Sequence, residues 1–65
     1  MADILVNNQG SLYILVGATT EGFDWLKENL DPEVMMWGQR GFVVEPRYVG
    51  AITDGAAEAG LEIQA

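Results

Sequence analysis

Ten carboxylates, three basic residues and no histidine or cysteine set the chemistry open to this 65-residue chain. Carboxylates can act in pairs as general acid and base, and Glu21 with Asp24 or Glu45 with Asp54 would be such pairs. They can also ligate a hard cation. Asp24, Glu28 and Asp31 recur at i, i+4 and i+7, a spacing able to hold Ca²⁺ or Mg²⁺ weakly from one side of a helix. Neither pattern carries far. Ten acids in so short a chain produce such spacings by chance, and no twelve-residue loop has the Gly and Glu positions of a calcium site. Without His or Cys the usual bases, nucleophiles and soft metal ligands are missing. The chain reads as a non-enzymatic protein, with no catalytic residue, no metal ligand and no cofactor.

The residues that suit binding are of another kind. Trp25, Met35, Met36 and Trp37 stand among Asp24, Glu28, Asp31 and Glu33. Small cores use tryptophan, but tryptophan and methionine also mark protein interfaces. An aromatic anchor ringed by acids is the layout for docking on a basic protein surface. The partner-binding set is therefore expected to be Asp24, Trp25, Glu28, Asp31, Glu33 and Trp37. A second group, Glu45-Pro46-Arg47-Tyr48, is either a polar recognition site at a helix start or a local arrangement. In the local arrangement, the favoured one, Glu45 caps the helix, Arg47 pairs with a carboxylate and Tyr48 packs.

The charge decides which partners are excluded. Ten acids against three bases leave a net charge of −7, spread from Asp3 to Glu62 rather than gathered in a tail. Such a surface repels phosphate backbones and anionic lipid. Lys27, Arg40 and Arg47 cannot neutralise several phosphates, so direct nucleic-acid binding is not expected. No apolar run approaches the ~18 residues that a membrane-spanning helix needs. With no basic stretch at Met1-Ala2-Asp3 and no cysteine, the expected location is cytoplasmic.

What could position these groups is limited by size. At 65 residues the chain is expected to be one domain, residues 1–65. A folded chain of this mass exposes roughly 4,100 Å² and buries about 60% of its unfolded surface. Disulfides are ruled out, so packing or oligomerisation must supply stability. An apolar content of 49% argues for a folded chain despite the charge.

Residues 3–7 and 11–16 are aliphatic or β-branched runs flanking Asn7-Asn8-Gln9-Gly10, and predict an antiparallel hairpin. In the second run Leu12, Ile14 and Val16 share one face, Tyr13 and Leu15 the other. Both faces are apolar, which places this strand centrally or in an oligomer interface. A helix over residues 20–30 follows, capped by Thr19 or Thr20, with Phe23, Leu26 and Leu30 inward. Residues 33–37 are of ambiguous class and could form a hairpin with a strand at 42–45. Pro46 then starts a helix over 46–59 with Val49, Ile52, Ala56 and Ala59 inward, closed by Gly60 at C′. Leu61-Glu62-Ile63 makes a last short strand. The fold expected is α+β: a small sheet in the order β-β-α-β-α-β packed against two helices, with the helices facing Leu12, Ile14 and Val44.

Met36-Trp37-Gly38, Phe42-Val43-Val44-Glu45-Pro46-Arg47-Tyr48 and Gly60-Leu61 together resemble a group of short, uncharacterised proteins of bacterial plasmids, prophages and other mobile elements. The resemblance covers about the last half of the chain. It implies a bacterial, mobile-element origin and brings no activity with it.

Two functions remain. The first is a small acidic protein-binding module, a homo-oligomeric accessory or regulatory protein pairing through strand edges or through Trp25 and Trp37. The alternative is an inhibitor of a nucleic-acid-binding defence enzyme, of the anti-CRISPR or anti-restriction type, whose carboxylates stand in for phosphates on a basic protein.

Overall fold

The computed structural model describes residues 1–65. Its elements are β1 (Ile4–Asn8), β2 (Tyr13–Gly17), α1 (Thr20–Asn29), β3 (Met36–Trp37), β4 (Gly41–Val44), α2 (Pro46–Glu58) and β5 (Ile63–Gln64). They form one α+β layer pair: a five-stranded sheet in the order β3-β4-β2-β1-β5 and two helices. The hairpins β1–β2 and β3–β4 and the β2–β4 pair are antiparallel, and β5 joins β1 in parallel. The expected order gains one strand, because residues 36–37 do pair with β4.

Local chemistry sets the boundaries. In the first turn the Gln9 amide donates to the Leu12 carbonyl and the Gly10 amide to Asn8 Oδ1, so Ser11 and Leu12 belong to the turn and β2 begins at Tyr13. Thr19 is the N-cap of α1, its hydroxyl accepting from the Gly22 amide at 3.1 Å. Gly22 is required by contact: a Cβ there would overlap the Asp3 carbonyl. The C-terminus of α2 is a Schellman closure. Gly60 takes φ 89°, its amide donates to the Ala57 carbonyl, and the Leu61 amide donates to the Ala56 carbonyl.

Strand order then decides where the helices lie. β3 is parallel to β2 and two positions to one side; β5 is parallel to β4 and three positions to the other side. Parallel crossovers are right-handed in nearly all sheets, and here β2 and β4 run in opposite directions and step to opposite sides. Connections of one hand that step this way place their helices on the same face. Ile4, Leu15, Leu26, Phe42, Val44 and Ala56 accordingly make a single core between that face and the two helices, with Leu15 and Leu26 fully buried. Trp25, half-buried, lies against Gly55 and wedges α1 onto α2. The Phe23 and Phe42 rings meet at 5.5 Å between centroids.

Two expectations are corrected. The helices do not face Leu12 and Ile14; Leu15 and Phe42 take that role beside Val44. Both sides of β2 are apolar, so alternation alone could not say which side a helix would cover. Ala59 is exposed, because the helix ends at Glu58 and Ala59 is its C-cap.

This register makes a paired prediction. Leu15→Ala should lower stability by about 2–5 kcal/mol, the range for emptying a tightly packed site. Leu12→Ala, at a side chain 43% exposed, should cost under about 1 kcal/mol. Denaturant midpoints at low protein concentration measure both. Equal losses would mean that β2 presents its other side to the helices.

Candidate functional site: an uncharged, uncovered sheet face

The same-handed crossovers leave the second face of the sheet without a helix. Register assigns its residues. Leu5 opposes Val16, Asn7 opposes Ile14, Ile14 opposes Val43, Val16 opposes Gly41, Gly41 opposes Trp37, and Leu5 opposes Gln64. None of these strand positions is charged, in a chain where 20% of residues are. An antiparallel sheet with one wet side normally carries polar residues there. Here the centre is Ile14, which its neighbours leave only 7% exposed, with the half-buried Val16 and Val43, flanked by Leu5 and Trp37, which are 38% and 59% exposed. Trp37 shares a shallow depression with Ile14, Val16, Asn7 and Gln9. This is the character of a covered face, and an apolar patch of this kind marks an interaction surface.

The structure divides the six residues singled out from the sequence. Asp24 and Glu28 are exposed on α1, and Asp31 and Glu33 on the loop that follows it. Asp31 Oδ1 accepts from the Glu33 amide at 2.8 Å, an ordinary turn bond. Trp25 is turned inward between the helices, while Trp37 lies on the opposite side of the sheet from them. The two tryptophans therefore do not form one patch with the acids. Asp24, Glu28 and Asp31 do not converge into a group able to hold a metal ion.

The Glu45–Tyr48 segment keeps the local ion pair expected of Arg47 but departs from the expected arrangement twice, at the cap and at Tyr48, which is exposed rather than packed. Glu45 is at the N-cap of α2 but makes no side-chain cap bond; its Oε1 accepts from Arg47 Nε at 3.1 Å, and the guanidinium lies 4.9 Å from the Tyr48 ring centre. Tyr48 also borders an open cleft of about 510 Å³ floored by Leu30, Val34, Val44 and Ile52, with Asp31, Glu33 and Glu45 at its rim. Arg40 is committed as well, donating to the Gly17 carbonyl at 2.7 Å and lying 5.4 Å from the Phe23 ring centre.

Asp3 is the carboxylate whose environment is built. Its Oδ2 accepts from the Glu62 amide at 2.9 Å and its Oδ1 from the Thr19 hydroxyl at 2.7 Å, while its carbonyl accepts from the Ala18 amide at 2.8 Å. One residue thus joins β1 to the approach to β5 and to the cap of α1. The Glu62 amide first, and the Thr19 hydroxyl second, hold its carboxyl below the ordinary value of 3.8.

Leu5 and Val43 were not singled out by sequence reasoning, and Ile14 and Val16 only as one apolar side of a strand placed centrally or in an oligomer interface. The signal was present in part: residues 11–16 are apolar on both sides. That both helices fall on one face follows only once the strand order is known. No protein-family model, no curated protein and no solved structure matches the chain. No helix is long and apolar enough to cross a membrane.

The Asp3 clasp has a pH signature. The fold favours the ionised carboxyl, so its contribution is present above pH 3.8 and is lost as pH falls through the lower folded value. Asp3→Asn should lower stability near neutrality and flatten the acid limb of the stability–pH curve below about pH 4. Urea denaturation from pH 2 to 7 measures it, and an unchanged acid limb would mean that the clasp contributes nothing.

Proposed function

We propose that this chain is a non-enzymatic protein-binding module that works through its uncovered sheet face. The observation that carries the reading is the row Leu5, Ile14, Val16, Val43 and Trp37, apolar and free of charge on the side that no helix covers. An accessory or regulatory role fits a chain without His or Cys, in which the carboxylates on the helices serve to keep the particle dispersed.

A second reading has its own observation. Asp24, Glu28, Asp31 and Glu33 are exposed and make no ion pair; the ion pairs present are Arg47 with Glu45 and the terminal ammonium with Glu62. A free acidic ridge of this kind suits a basic, nucleic-acid-binding protein as partner. Together with the mobile-element resemblance, it supports an inhibitor of a defence enzyme acting by phosphate mimicry.

Photo-crosslinking separates the two. A photoreactive amino acid is placed at Leu5 or Trp37 on the sheet, or at Asp24 or Glu28 on the ridge, in the expressing cell. The sheet-face reading expects protein adducts from Leu5 and Trp37 and few from the ridge. Adducts confined to Asp24 and Glu28, and lost at high salt, would replace it with the mimic reading.

A further inference from the structure

We infer that the occupant of the open sheet face is a second copy of this chain, the two sheets stacking face to face with the helices outside. The inference rests on the sheet-face reading and names its partner.

Charge argues for it first. Two copies carry −7 each and repel, so they can meet only where neither presents a carboxylate. The face built on β1, β2, β4 and the outward residues of β3 and β5 meets that condition at every strand position. A basic partner would call for acids within or around its docking patch, whereas Glu21, Asp24, Glu28, Asp54 and Glu58 sit on the helices behind the sheet. Stacked sheets lie roughly 10 Å apart, and each copy is 19–20 Å across its shorter axes. The outer helix surfaces of the pair are then separated by roughly 30 Å or more, beyond the ~8–10 Å range of screened charge at physiological salt.

Size argues second. Five strands at roughly 4.8 Å spacing and five residues of strand give a footprint of roughly 20 by 17 Å. With side-chain relief this is at most roughly a tenth of the 4265 Å² surface of the chain, so a pair buries roughly 850 Å² in all, against ~1,200 Å² where standard interfaces begin. That is the size of a weak, transient interface, so the pair should be in exchange with monomer. Need argues third: 11 of 65 residues are buried in the single copy, and a chain without disulfides gains most by adding a second apolar layer. A twofold pair is self-complementary, so Trp37 and Leu5 of each copy meet the same surface on the other.

The test is light scattering and sedimentation equilibrium on the purified full chain over the micromolar to millimolar range, at 0.05 and 0.5 M NaCl. The expected mass rises towards twice 7.1 kDa, and does so at lower protein concentration in high salt, since salt screens the repulsion between two acidic copies. Trp37→Glu and Leu5→Glu should each weaken self-association by roughly tenfold or more, with far-UV circular dichroism unchanged, while Glu58→Gln on α2 should not weaken it. Either sheet variant suffices if the other does not fold. A mass of 7.1 kDa throughout overturns the inference, as does a dimer indifferent to both sheet substitutions. If the purified chain stays monomeric while crosslinks still form at Leu5 and Trp37, the second copy is wrong and the face binds a different protein. If the crosslinks are absent too, the sheet-face reading fails with it.

Discussion

One topological constraint organises this molecule: its two crossovers share a hand, so both helices must lie on the same side of the sheet. From that follow the single core around Leu15 and Leu26, the wedge of Trp25 against Gly55, and the bare second face. Had one helix fallen on each side, as in doubly wound folds, the apolar row of Ile14, Val16 and Val43 would have been ordinary core. The sequence of β2 suits such a buried central strand, and here the helices lie on one side of it only.

Much of the architecture was legible because local signals agree with it. Thr19 before an amphipathic run, Pro46 at a helix start and Gly60 at a helix end mark three boundaries within one or two residues of where they fall. The turn at residues 7–10 and the β-class runs on either side gave the hairpin. The central place of β2 between β4 and β1 was one of the two readings that its two apolar sides allowed. What failed was parity. Nothing local tells Leu12 and Ile14 from Tyr13 and Leu15, since the choice depends on which side the distant helices occupy.

The candidate site was less legible for a related reason. Sequence proximity suggested one patch from Trp25, Trp37 and the acids between them, because the segment from Asp24 to Trp37 is dense in both kinds of residue. In three dimensions the sheet separates them. Trp25 serves the helix–helix contact, the carboxylates stay with the helix layer and its following loop, and Trp37 passes to the far side with β3. The molecule therefore has two faces of opposite character, one acidic and one uncharged, and short-range pattern reading merges them. Asp3 shows the converse: an unremarkable acid near the start of the chain becomes a joint between β1, Thr19 and Glu62 that only the tertiary structure displays.

The edges of the sheet have a consequence for assembly in crowded conditions. β3 and β5, the outermost strands, pair over only two residues each. Such stubs offer almost no row of free amides and carbonyls to template a further strand, and the edge of β1 that β5 leaves open is only residues 6–8. Ribbon-like growth, in which copy adds to copy along a hydrogen-bonded edge towards a fibre, has only that three-residue rail to start from. A chain with an apolar sheet face that no helix covers would be an amyloid hazard if its borders were long and flat; with borders this short, stickiness is confined to a finite plane.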